Sequence, residues 1–106
     1  MTDAPEARFA VTPASGDQPP LVVISGDIDL ANVGEFENAL THARDGSPAL
    51  TVDLTGVSYC DSTAVRALFT AAATTRLTMV VNPAGHVVTL LEISGLDRVA
   101  TVITKD

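Results

Sequence analysis

The chain has one cysteine, no tryptophan, one tyrosine and one lysine, and each shortage excludes something. With Cys60 alone, no internal disulfide can form, and a reducing compartment such as the cytoplasm is the expected home. Only six residues are Lys or Arg, and they are scattered along the chain, against thirteen Asp or Glu. No basic face can be assembled for a phosphate backbone, so nucleic acid is not an expected partner. A net charge of −7 instead suits solubility or a partner with a basic docking face. No apolar run exceeds about five residues, far from the ~20 that cross a bilayer, so no membrane insertion is expected. The segment Met1–Glu6 has neither a basic region nor an apolar stretch, so no secretion signal is expected.

Catalytic and cofactor signatures are also missing. The two histidines, His42 and His86, stand at no spacing typical of a zinc site, so no metal is expected. There is no Gly-rich phosphate loop and no dinucleotide fingerprint, hence no expected cofactor. A hydrolase built on Ser62 and His86 would need a Gly-x-Ser-x-Gly elbow, and Ser62 does not stand in one. No catalytic residue is assigned, and an enzyme is not expected. His42, near the end of a helix, and His86, just before another, read as solvated or capping residues.

What is present is a strong alternation of strand and helix patterns. Hydrophobic residues make up 46% of the chain and aromatics only 4%, so the core must be aliphatic and rich in alanine. At 106 residues the chain is long enough for one such core, and residues 1–106 read as a single domain with residues 1–7 fraying. Leu50, Val52 and Leu54 alternate with polar or small neighbours, which predicts a strand over 49–54. After Val65 the period changes: Val65, Leu68, Phe69 and Ala72 recur at helical intervals, predicting a helix over 62–75. A short turn should join the two. Asp61 and Ser62 therefore fall where a helix must cap its first free N–H groups. An exposed serine there can be modified, and a phosphate on it would lie in the favourable field of the helix N-terminus. The ordinary reading of the same pair is a plain N-cap.

The remaining elements follow in the same way. Arg8–Thr12 is a short strand and residues 13–20, with three prolines and a glycine, a loop that folds it back beside a strand over 21–25. Asn32 is placed to cap a helix through Arg44, with Glu35 reaching back as in a capping box. Val33, Phe36, Leu40 and Ala43 line one face of that helix, and Gly46 ends it. A strand over 77–81 stops at Asn82-Pro83, a helix over 87–94 ends at Gly95, and a last strand covers 99–103. The expected fold class is α/β: a mixed, mostly parallel sheet with an antiparallel N-terminal strand, packed against three or four helices on a common side. Asp27 and Asp29 follow the strand 21–25 at the end where such folds present binding loops; a solvated acid pair in a turn is the other reading. Asp53 is expected to bond a nearby turn. Cys60, just before Asp61, is either an exposed thiol whose oxidation would disturb this region or a buried, inert one.

The strand-turn-Asp61-Ser62-Thr63-helix segment resembles the signature of the STAS domain, the fold of bacterial anti-sigma factor antagonists. Three more segments fit in order: Leu21–Asp29 with its Gly-acid-apolar-Asp ending, the helix from Ala31 to Arg44, and Leu90–Val99. The resemblance runs from Arg8 to Thr104. It implies that Ser62, with Thr63 the less favoured hydroxyl, is phosphorylated by an anti-sigma factor that is also a serine kinase. The unphosphorylated form would bind that kinase and free the sigma factor, and a serine phosphatase would restore it after modification. The docking face implied comprises Asp27, Asp29, Asp61, Ser62, Thr63 and Val65. The family usually has glycine after the paired hydroxyls, where this chain has Ala64, whose methyl could crowd a kinase backbone. The resemblance leaves a second reading open, a stand-alone STAS regulatory subunit of a membrane transporter of the lipid-moving kind, docking through the same face.

Overall fold

The computed structural model describes residues 7–105. In chain order its elements are β1 (Arg8–Thr12), β2 (Leu21–Ile28), α1 (Val33–Arg44), β3 (Ala49–Cys60), α2 (Ser62–Thr74), β4 (Arg76–Val81), α3 (His86–Ser94), a 3-10 turn (Leu96–Arg98) and β5 (Thr101–Thr104). The five strands form one sheet in the order β1-β2-β3-β4-β5. β1 runs antiparallel to β2, and every later pairing is parallel. Because the sheet grows in one direction, right-handed crossovers deliver each helix to the same face. The inward residues show it: Val22, Ile24 and Ile28 of β2, Leu50, Val52 and Leu54 of β3, and Leu77, Met79 and Val81 of β4 are all buried. They form one cluster with Phe36 and Leu40 of α1, Leu68 and Ala71 of α2, and Val87 and Leu91 of α3. Each buried Leu, Ile or Val contributes on the order of 1.5–3 kcal/mol relative to an exposed one. The alternate strand residues, such as Val23, Ser25, Asp53 and Val80, lie on the uncovered face and are half-buried or exposed. Phe9 of β1 stacks on Phe36 with ring centroids 6.0 Å apart, which fastens the antiparallel strand to α1.

Four expectations need correction. β2 and β3 are longer than their hydrophobic alternation predicts, running to Ile28 and Cys60 instead of Ser25 and Leu54. The stretch read as a turn is strand because two register shifts in β3 let it keep pairing with β2, first between Val23 and Ser25 and again between Gly26 and Asp27. Such bulges break the period-2 pattern, which hides the strand from a sequence reading. Gly56 sits at the first: a Cβ there would stand 3.0 Å from Ser25 Cβ and 3.3 Å from the Ile24 carbonyl oxygen. Asp53 bonds locally as expected, holding the same bulge by accepting the Thr55 N–H at 2.9 Å and its hydroxyl at 2.6 Å.

Asn32 does precede α1, but its side chain makes no forward cap, so the capping box with Glu35 does not form. Its backbone lies at φ −122° and ψ 3°, away from the extended conformation that aims a cap side chain at the helix. β5 begins at Thr101, two residues late, because the chain first makes the 3-10 turn after Gly95. Gly95 itself closes α3 in the left-handed conformation at φ 83°, donating to the Leu91 and Glu92 carbonyls. On α2, Leu68 is buried as expected whereas Phe69 and Ala72 are half-buried. The expectation of fraying over residues 1–7 falls, except for Ala7, outside the described residues.

Candidate functional site

The carboxyl ends of β2 and β3 lie side by side. Ile28 pairs with Cys60, and the Asp61 N–H donates to the Ile28 carbonyl at 3.2 Å. This register sets the start of α2 next to the turn 29–32, so residues more than thirty positions apart in sequence share one rim.

Asp61 caps α2. Its backbone is extended (φ −99°, ψ −174°), and its carboxylate accepts the N–H groups of Thr63 at 3.0 Å and Ala64 at 3.4 Å. The Thr63 hydroxyl donates to the same oxygen. That hydroxyl bond, helped by the Ala64 and Thr63 amides, holds the Asp61 carboxyl below its usual range against the opposing effect of partial burial. Asp61 is thus a fixed negative charge on the rim. Thr63 is half-buried, and its hydroxyl is committed to Asp61. Ser62 is exposed, and no hydrogen bond ties its hydroxyl to another described residue. Of the two hydroxyls only one is free.

The turn opposite is built by Asp29 and Asn32. The Asp29 N–H donates to Asn32 Oδ1 at 3.0 Å, Asn32 Nδ2 donates to the Asp27 carbonyl at 2.9 Å, and Asp29 Oδ1 accepts the Ala31 N–H at 3.0 Å. The Asp29 carbonyl also takes the N–H groups of Asn32 and Val33, the first turn of α1. Asp29 organises the turn and is half-buried; Leu30 at its tip is 75% exposed. Asp27 does not lie in a loop as its spacing suggested. It is a half-buried residue of β2, paired with Tyr59.

Two other assignments change meaning. Val65, grouped with the docking residues, is buried at 8% exposure, so its side chain offers little surface to a partner. Ala64 is fully buried within the core cluster. Its methyl group is packed in the core and is not part of the exposed rim. A helical count shows the reason: Ala64, Leu68 and Ala71 recur at the spacing of one buried face.

Cys60 is buried, and burial together with the neighbouring Asp61 charge pushes its thiol up to about 11. That environment favours the inert thiol over a reactive one. His42 is exposed near the end of α1 and His86 is the exposed first residue of α3, its cap being Gly85. Among the described residues, no three His, Cys, Asp or Glu side chains are grouped to hold a metal ion, and no helix is long and apolar enough to cross a membrane.

Among the described residues, the surface hollows include two of several hundred Å³. One of about 670 Å³ sits under the 13–19 loop, at the far end of the sheet from Ser62, between Pro13, Asp17, His42 and Pro48. The smaller one, about 500 Å³, opens between Tyr59 and α3 beside the rim just described. Nothing in the sequence pattern pointed to it, because Tyr59 and Ile93 meet only through the fold.

A family model described as "Mlab, STAS domain" matches residues 11–104. The crystal structure of an anti-sigma factor antagonist from Mycobacterium paratuberculosis superposes with a TM-score of 0.80 at 22% identity, over 92% of this chain and 86% of that one. The anti-sigma factor antagonist SpoIIAA, in its unphosphorylated form, superposes with a TM-score of 0.71 at 16% identity, over 93% and 89% of the two chains. No curated protein matches by sequence.

Proposed function

This chain belongs to the STAS domain family, and from that premise we infer that it is an anti-sigma factor antagonist controlled at Ser62. The unphosphorylated form binds an anti-sigma factor that is also a serine kinase and so releases the sigma factor. Phosphorylation of Ser62 ends the binding, and a serine phosphatase restores it. The reading makes the chain a cytoplasmic binding module that catalyses nothing itself; ATP and magnesium belong to the kinase.

The observation that carries the proposal is the division of labour at the start of α2. Asp61 and Thr63 satisfy one another and the first free N–H groups, which leaves the Ser62 hydroxyl exposed and unengaged at the first helical position. A phosphate adds about −1.5 to −2 charge there. The helix N-terminus tolerates it, so the fold persists, while its bulk holds apart two surfaces that fit closely around a bare hydroxyl. A penalty of ~3 kcal/mol weakens binding roughly a hundredfold.

The test is an affinity capture from cell extract with wild type and Asp29→Lys, followed by identification of what is retained. A serine kinase held by wild type and held less by Asp29→Lys supports the reading. Asp29→Asn keeps the acceptor for Ala31 and serves to separate charge from turn geometry. Retention of transporter ATPase subunits alone would replace this function with that of a transporter regulatory subunit.

A further inference from the structure

β3 outruns β4. Their last paired residues are Asp53 and Val80, whereas β3 continues to Cys60. Its upper part therefore has β2 along one edge only, and α3 packs beside the other. Between them runs the groove of about 500 Å³, walled by Tyr59, Cys60, His86, Val87, Leu90 and Ile93. Tyr59 is 54% exposed and Ile93 79% exposed, large apolar groups turned outward on the two walls. Tyr59 and Ile93 thus offer apolar surface on both walls of one groove, beside a polar rim.

The charges around the groove select its occupant. None of the groove residues is Lys, Arg, Asp or Glu. Asp61 follows the groove residue Cys60 directly, and Asp27 is the register partner of Tyr59, so the border towards Ser62 is acidic. An anionic headgroup or a fatty-acid carboxylate would meet that border with like charge. A cationic segment would meet it with opposite charge. The groove is also continuous along the chain with the Ser62 site, through Tyr59-Cys60-Asp61-Ser62.

We propose that this groove is the second half of the docking surface, taking an apolar side chain carried on a basic segment of the kinase that addresses Ser62. This rests on the functional reading above. The apolar anchor supplies affinity in a desolvated pocket, and the acidic border orients the segment so that Ser62 faces the kinase active site. Phosphorylation then acts at one end of a two-part contact.

The experiment measures, by calorimetry, the affinity of the kinase that phosphorylates Ser62 for wild type, Ile93→Arg, Tyr59→Ala and Val99→Arg. Val99 is 55% exposed and lies just before β5, at the opposite end of the sheet, and serves as the control. Ile93→Arg and Tyr59→Ala should each weaken binding about tenfold or more, Val99→Arg should not, and added salt should weaken the wild-type complex. Unchanged affinity in both groove variants, with Ser62 still phosphorylated, would overturn the groove proposal and leave the Ser62 reading standing. If no kinase binds or phosphorylates wild type, both readings fall together. A titration with oleate gives the lipid outcome its own readout, since Tyr59 is the only tyrosine and the chain has no tryptophan. Oleate-dependent change in Tyr59 fluorescence that Ile93→Arg abolishes, with kinase affinity unchanged, would make this a lipid groove and overturn the proposal.

Discussion

The hydroxyl of Thr63 donates to the carboxylate of Asp61, two residues before it, in the first turn of α2. One bond joins the cap to its own neighbour and leaves Ser62 as the unengaged hydroxyl of the pair. The same bond keeps Asp61 ionised, so the acid that precedes Ser62 remains a negative charge at ordinary pH.

Phosphate should therefore appear on Ser62 alone. With the cognate kinase and ATP, wild type should gain one phosphate, Ser62→Ala none, and Thr63→Ala still one at Ser62, read by mass spectrometry. Ser62→Asp should weaken the kinase complex only partly, because one carboxylate carries less charge and fewer acceptors than a phosphate. Phosphate on Thr63, or retained in Ser62→Ala, would sink the assignment.

Removing the cap should cost stability in a pH-dependent way. Asp61→Ala should lower unfolding stability by about 0.5–2 kcal/mol near neutral pH, the usual worth of an N-cap. In the folded chain the Asp61 carboxyl lies below its usual value of 3.8. Its contribution is therefore present above that value and lost as pH falls through the lower folded one. The difference in urea midpoint between wild type and Asp61→Ala should hold steady down to about pH 5 and shrink below about pH 4. A difference that grows towards acid would contradict the assigned bond.

Glycine at position 64 should harm the fold without helping the kinase. Ala64 is fully buried, so Ala64→Gly removes a packed methyl and adds helix-backbone entropy, about 1 kcal/mol from the latter alone. Thermal unfolding should shift downward while the rate of Ser62 phosphorylation stays near that of wild type. Faster phosphorylation in Ala64→Gly would show that the methyl does hinder the kinase.

Leu68 tests the core face of α2. It is 1% exposed within the central cluster, and Leu68→Ala should cost about 2–5 kcal/mol. An unchanged denaturation midpoint would contradict the packing described.

Cys60 should resist modification in the native state. Burial and the Asp61 charge hold its thiol at about 11, so little thiolate forms at pH 8 and the sulfur is shielded. Iodoacetamide should label the native chain much more slowly than the urea-unfolded one. Equal rates would show an open, reactive thiol.

Much of this protein was legible from residue order alone. Strand alternation at Leu50, Val52 and Leu54 and helical recurrence at Val65 and Leu68 are local consequences of periods 2 and 3.6. They establish α/β alternation, the inward faces of the strands and the cap at Asp61 without any knowledge of partners across the fold. The antiparallel β1 was equally plain, because three prolines and a glycine leave the 13–20 stretch no regular element to form.

The rest depended on contacts between distant residues. Bulges at Gly56 and before Tyr59 extend β3 past its alternating segment, and only pairing with β2 reveals them. Asn32 faces back to Asp27 and Asp29 because that turn sits on the end of β2, a restraint invisible to a cap pattern read forwards. Composition and periodicity determined which residues had to be buried and where the helices had to begin. Tertiary structure decided that Thr63 is spoken for while Ser62 is free, and that Tyr59 and Ile93 wall a common groove. Those outcomes turn on direction and distance in space, which a periodic pattern constrains only along its own element.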